Sequence, residues 1–319
     1  MDITNNQKQV TYIRNNERLL TIKWRLTTWC NYKCSYCVQT LVRKFDKSNK
    51  TDFDRLLSAA KDINKFLDES SRNVKILLIG GEVSWYDLQK LMEAIPSKKL
   101  EILSFPTNLS NSAEYYISLA KYLHTRGVTL DLCCSLHSEF VKVESFIQKV
   151  LKIREEAEMK SIRVEMVINR KTESLLEQVK SLCEENGLDY RFDYDITESE
   201  EFRSRPLNVS SYKKPRYTVT FDDGSKDYTI SQSQLLNLKN GQCANSRFLS
   251  KGFYCTKGLS FLCIDVDMVA DNDICTARED FVPVRDYHLQ KEARPCPQEK
   301  GCPLYGDISL AKNKEDIDF

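Results

Sequence analysis

The sequence predicts an α/β fold built on a parallel sheet and followed by a small, cysteine-rich α+β extension. Three observations predict it. Six short apolar, β-rich segments alternate with helix-period segments over residues 19–196, the order that yields a parallel sheet, open or curled towards a barrel. Cysteines gather near the start and in the last quarter of the chain, with few between. The composition also changes near residue 200, where SRPLNVSSYKKPR reads as a linker. The expected division is residues 1–200 for the α/β core and 201–319 for the extension.

Taken in order, strands are expected at 19–27, 73–80, 100–107, 128–136, 162–169 and 188–196, and helices at 51–70, 84–95, 111–127, 139–160 and 172–187. Thr51, Ser84 and Asn111 are the expected N-caps, and Gly127 and Gly187 the expected stops. Sheets of this kind collect ligands at the carboxyl ends of their strands. Along 128–136 the period of two puts Cys133, Ser135 and His137 on one face and Cys134 on the other. Cys183 lies in a helix. Beyond the linker, residues 216–231 read as a hairpin turning at Asp223-Gly224, and 231–238 as a short helix. There is no internal repeat and no low-complexity tract.

Apolar residues make up 41% of the 319, enough for a sizeable core. Lys plus Arg number 47 and Asp plus Glu 46, a balance that argues against general binding to a phosphate backbone. No apolar run reaches signal-peptide or bilayer-spanning length, so the expectation is a soluble, cytoplasmic protein without membrane or general nucleic-acid partners. Disulfides are rare in that compartment, and the 12 cysteines therefore point to metal binding or chemistry.

Cys30, Cys34 and Cys37 form a C-x3-C-x2-C loop directly after the first expected strand. Three thiolates from one loop suit three corners of a cuboidal iron–sulfur cluster and leave the fourth iron open to a ligand. A structural zinc site is the alternative. It asks for a fourth ligand, and the next histidine along the chain is His124. The next strand ends in Gly80-Gly81-Glu82 and the third in Thr107-Asn108; on their own the glycines also fit an ordinary strand-to-helix turn.

With Tyr36 ahead of Cys37, this loop resembles the cluster loop of radical SAM enzymes. Gly80-Gly81-Glu82 resembles the family's GGE motif, which holds the methionine amino group of S-adenosylmethionine (SAM), and Thr107-Asn108 is similar to the Thr-Asn often found at the third strand. Val83 departs from the Pro that follows GGE in many members. The resemblance implies a partial (β/α)6 TIM-like barrel, a SAM-binding 4Fe–4S cluster on Cys30, Cys34 and Cys37, and SAM bound by Tyr36, Gly80, Gly81, Glu82, Thr107, Asn108, Ser135, Asn169 and Arg170. It implies reductive cleavage of SAM to a 5′-deoxyadenosyl radical that abstracts hydrogen from a substrate, with an electron donor such as flavodoxin or ferredoxin.

Six cysteines lie in the tail: Cys243, Cys255, Cys263, Cys275, Cys296 and Cys302. Cys255-x2-Gly258, an Ile-Asp strand, a turn and Cys275 resemble the opening of the SPASM and Twitch extensions, with Ala270 where that pattern has Gly. The resemblance implies an auxiliary iron–sulfur cluster on Cys255, Cys275, Cys296 and Cys302, with zinc as the competing metal. Cys263 sits in an apolar strand and reads as core. Cys243 is left as a ligand, a packing residue or a catalytic thiol that quenches a substrate radical. Only residues 1–18 precede the first expected strand, so no leader-binding domain is expected there. By elimination the expected substrate is a sugar- or aminocyclitol-like small molecule, oxidised or epimerised. The alternatives are a ribosomal peptide or protein side chain, or a non-enzymatic zinc or iron–sulfur protein.

Overall fold

The computed structural model describes residues 9–15, 18–41, 50–195, 197–203, 211, 217–230, 251–270, 282–296 and 309–317. Six parallel strands stand side by side in chain order: β2 (Leu20–Thr27), β3 (Val74–Gly80), β4 (Leu100–Thr107), β5 (Thr129–Leu136), β6 (Ser161–Ile168) and β7 (Asp189–Tyr194). They match the six expected segments to within two residues at each end. Between them run α2 (Phe53–Glu69), α3 (Leu88–Glu93), α4 (Ala113–Thr125), α5 (Val143–Glu156) and α6 (Leu176–Glu185), with the one-turn helix α1 (Val38–Leu41) after the cysteine loop. The sheet stays open: β7 is one edge, and no pairing joins it to β2 among the described residues.

The helices start two to four residues later than expected, and the three expected N-caps move by one to three. Asp52, Asp87 and Ser112 cap α2, α3 and α4 by accepting the N–H groups of Arg55, Lys90 and Tyr115, the usual capping geometry. Thr51 and Asn111 each stand one residue too early, and Ser84 lies in a separate 3-10 turn at Val83–Trp85. Gly127 and Gly187 follow their helices at φ +70° and +60°, as expected of stops that need left-handed backbone.

Alternate residues of each strand face the helices. Leu20, Ile22, Trp24 and Leu26 of β2 and Leu130, Leu132, Cys134 and Leu136 of β5 belong to one large core with the helices. The opposite face carries a buried polar cluster. Asp131, 8% exposed, pairs with Lys75 at 3.5 Å and Arg163 at 3.6 Å and accepts from Ser104 at 2.8 Å and from Ser161. Burial works against its charge, but Lys75, Arg163 and the two hydroxyls outweigh it and hold the carboxyl below the usual aspartate range. Asp131→Ala is expected to lower stability by on the order of 3 kcal/mol, because two cations then lose their buried partner. The folded pKa lies below the unfolded value. The contribution is therefore complete above about pH 4 and lost as the pH falls through the folded value, so urea midpoints of wild type and variant should converge in acid.

The chain beyond residue 200 extends this sheet at β2 and contributes to a second sheet. β11 (Phe261–Ile264) pairs in parallel with β2 and extends the sheet beyond it, followed by β12 (Val269–Ala270) and β13 (Val282–Pro283). A second, antiparallel sheet runs in the order β14 (Arg294–Pro295), β10 (Tyr254–Cys255), β15 (Leu310–Ala311), β1 (Val10–Asn15), β8 (Tyr217–Phe221), β9 (Lys226–Ile230). β8 and β9 form the expected hairpin, with Gly224 at φ +80°. The expected helix at 231–238 lies outside the described residues. No helix among the described residues is long and apolar enough to cross a membrane.

Candidate functional site

The cysteine loop leaves the carboxyl end of β2 and lies over the carboxyl ends of its neighbours. Cys30, Cys34, Cys37 and Tyr36 line a cavity of about 480 Å³ together with Gly80, Gly81 and Glu82 after β3, Thr107 and Asn108 at β4, and Ser135 and His137 at β5. Ten of the residues expected at the first site thus share one wall. Asn169 and Arg170 are not among the lining residues. Asn169 is buried and caps a turn, its Oδ1 accepting from Lys171 and Thr172 N–H. Arg170 is exposed and pairs with Glu198.

The two glycines answer to the backbone of the cysteine loop. Gly81 N–H donates to Thr27 O at 3.0 Å and Glu82 N–H to Trp29 O at 2.9 Å. A Cβ on Gly81 would sit 1.8 Å from Trp29 O, and one on Gly80, whose φ is +143°, 2.1 Å from Thr27 O. Strand end and loop stem are laced together at a distance only glycine permits.

Glu82 is buried. Its Oε1 accepts from Ser84 N–H at 3.1 Å and Thr107 Oγ1 at 2.8 Å, and its Oε2 from Asn108 N–H at 2.6 Å. Burial raises its carboxyl pKa, although the Asn108, Ser84 and Thr107 donors act to lower it. A cation brought to this carboxylate relieves the same cost. Tyr116 extends the network, with its hydroxyl 2.9 Å from Thr107 Oγ1 and 3.2 Å from Ser84 Oγ. Sequence patterning places Tyr116 only on a helix and gives no sign of this role.

Nitrogen atoms approach the sulfurs of Cys30 and Cys34. Tyr32 N–H donates to Cys30 Sγ at 3.4 Å, Asn108 Nδ2 lies 3.9 Å from the same sulfur, and His137 Nδ1 lies 3.4 Å from Cys34 Sγ. Among the described residues no three cysteine, histidine or carboxylate side chains converge as ligands of a single metal ion. A cuboidal cluster makes a different demand, one iron for each thiolate, and three thiols spaced around one cavity meet it. A second ligand has an anchor as well: Gln39 lines the cavity, its Nε2 donates to Gly80 O, and its buried Oε1 has no partner among the described residues. That oxygen and Glu82 suit a ligand carrying amino donors, as SAM does. The residues present therefore fit both groups.

In the tail, Cys255 pairs with Arg294 across β10 and β14, and Cys296 N–H donates to Phe253 O at 2.7 Å. This register puts Cys255 and Cys296 diagonally on one face of the ladder. Lys257 N–H donates to Cys255 Sγ at 3.4 Å. Cys263 is buried in the small core with Val10, Ile13 and Phe261. Cys243, Cys275 and Cys302 lie outside the described residues.

No protein-family model matches the chain, and no curated protein matches it by sequence. Solved structures do resemble it. The structure of native anSMEcpe with bound AdoMet aligns at 12% identity over 84% of this chain and 79% of its own, with a TM-score of 0.50. That of native anSMEcpe with bound AdoMet and Cp18Cys peptide aligns at 14% identity over 84% and 78%, TM-score 0.48. Streptococcus suis SuiB aligns at 16% identity over 85% and 64%, TM-score 0.48. The chain thus has the fold of native anSMEcpe, a protein solved with AdoMet bound.

Proposed function

We propose that the chain is a radical SAM enzyme that modifies a side chain of a peptide or protein. The observation that carries the enzyme class is the meeting of Cys30, Cys34 and Cys37 with Gly80-Gly81-Glu82 in one cavity at the carboxyl ends of the strands. The fold shared with AdoMet-bound anSMEcpe supports it. Bound together, a 4Fe–4S cluster and SAM supply reductive cleavage of the sulfonium to a 5′-deoxyadenosyl radical able to take a hydrogen atom from substrate.

The chain's own residues bind and orient. Cys30, Cys34 and Cys37 hold the cluster. Glu82 takes the SAM ammonium, held in place by its bonds from Ser84, Thr107 and Asn108, and Gln39 Oε1 accepts a further N–H. Tyr36, Ser135 and Asn108 close the wall and limit access of water. The electron comes from a reduced flavodoxin- or ferredoxin-like donor. Cys255 and Cys296, with Cys275 and Cys302, are the proposed ligands of an auxiliary cluster.

A peptide is preferred to the sugar-like molecule reached by elimination. The large apolar side chains that stand exposed among the described residues, Val38, Leu41, Trp85 and Phe140, all belong to segments bordering the cavity: α1 behind Cys37, the turn behind Glu82 and the loop behind His137. Such a rim suits peptide side chains better than a polyol. The anSMEcpe structure with Cp18Cys peptide points the same way.

Anaerobic reconstitution tests the enzyme class: the reduced protein should convert SAM to 5′-deoxyadenosine and methionine, and a colourless protein without that activity overturns it. Glu82→Gln tests the binding mode. It is expected to leave cluster iron unchanged and to weaken SAM binding roughly tenfold to a hundredfold, the cost of a lost charge-assisted contact. Equilibrium binding of SAM to the reconstituted variant checks it, and unchanged affinity would make Glu82 a purely structural residue.

A further inference from the structure

We propose that His137 is a positioning residue that donates its Nδ1–H to Cys34 Sγ and so sets how readily the cluster held by the loop accepts an electron. The inference rests on the function proposed above.

The residue is fixed from both directions. Its carbonyl accepts Phe140 N–H at 2.9 Å and Val141 N–H at 3.2 Å, which locks the turn leaving β5. Its ring stacks on Tyr36 with centroids 5.9 Å apart and planes 20° apart, and meets Tyr32 edge-on at 5.9 Å and 88°. The ring is thereby held with Nδ1 3.4 Å from Cys34 Sγ and 2.9 Å from Tyr36 OH. A ligating thiolate carries no hydrogen, so in a hydrogen bond to Cys34 the imidazole is the donor, its one Nδ1–H shared between the sulfur and the Tyr36 hydroxyl oxygen.

The surrounding loop makes this contact rigid. Glu139 accepts Ser35 N–H at 2.8 Å and the Ser35 hydroxyl, and Phe140 stacks on Tyr32 at 4.4 Å. One short segment after β5 therefore grips residues 32, 34, 35 and 36 of the cysteine loop. Cys30 takes its short N–H from the backbone of Tyr32, whereas the donor to Cys34 is a side chain, a feature a substitution can alter. A hydrogen bond to a cluster sulfur draws negative charge from it and favours the reduced state.

The first test needs no variant. Protein labelled with ¹⁵N-histidine, reconstituted and reduced, should show a ring-nitrogen coupling in pulsed EPR. The other two histidines, His124 and His288, are 61% and 81% exposed and pair with Glu158 and Glu69 elsewhere, so the coupling reports His137. In the second test His137→Phe keeps the stacked ring and removes the donor, while His137→Asn restores a donor near Nδ1. Both should bind wild-type amounts of iron. The Phe variant should show a more negative midpoint potential, and the Asn variant should return towards wild type. Absence of the coupling, equal potentials in wild type and His137→Phe, or equal shifts in both variants overturns the inference and leaves the proposed function standing. A wild-type protein that binds no cluster overturns both.

Discussion

Alanine at Cys30, Cys34 and Cys37 together is expected to bring SAM cleavage down to background while the protein still folds. All three thiols sit on a partly exposed loop, outside the large core that packs β2 to β7 on the helices, so their loss removes little buried apolar surface. What it removes is the whole ligand set of the proposed cluster, since Cys255 and Cys296 lie in the other sheet. Two measurements separate the possibilities. Iron and sulfide should fall by one cluster's worth, and 5′-deoxyadenosine should vanish under conditions in which wild type makes it. Undiminished 5′-deoxyadenosine from the triple variant would end the radical SAM reading.

Gly81→Ala should be nearly as damaging by another route. Its added methyl would lie 1.8 Å from Trp29 O, a backbone atom with no rotamer to yield. Relief requires moving the strand end off the loop stem, which strips Gly81 N–H from Thr27 O and Glu82 N–H from Trp29 O. The expected cost is roughly 3 kcal/mol or more, the upper range for overpacking. SAM binding should go with it, because Glu82 follows directly. Gly127→Ala is the control: nothing lies within 4 Å of its added Cβ, and its φ of +70° costs about 1–2 kcal/mol. Urea unfolding of the two variants compares them. A Gly81→Ala protein as stable as Gly127→Ala would show that the lacing is dispensable.

These cases mark what the sequence makes legible. Gly80-Gly81-Glu82 stands out because a residue type is demanded by a local steric fact. The strands stand out because each carries its own period. Caps are harder: Thr51-Asp52 and Asn111-Ser112 are adjacent pairs of good capping residues, and only the phase of the helix chooses between them. The polar cluster of Lys75, Asp131 and Arg163 is invisible for a different reason. Alternation says which face a residue takes but not which strand's residue stands beside it, and these three come from β3, β5 and β6. Asn169 illustrates the same limit at a site. Its position at a strand's carboxyl end is readable, whereas its engagement with Thr172 depends on how the loop turns.

The parallel pairing of β11 with β2 reaches into how the molecule comes into being. β2 leaves a ribosome long before β11. Until β11 arrives, one side of β2 presents a row of unpaired amides and carbonyls beside strongly apolar side chains, an invitation to strands of other nascent chains. β1, paired among the described residues with β8 and β15, likewise waits for segments made much later. Sequence separation of this size slows closure of the native contacts. This edge therefore becomes secure against misassembly only once β11 has been made, and yield in a cell depends on how well it is shielded in the meantime.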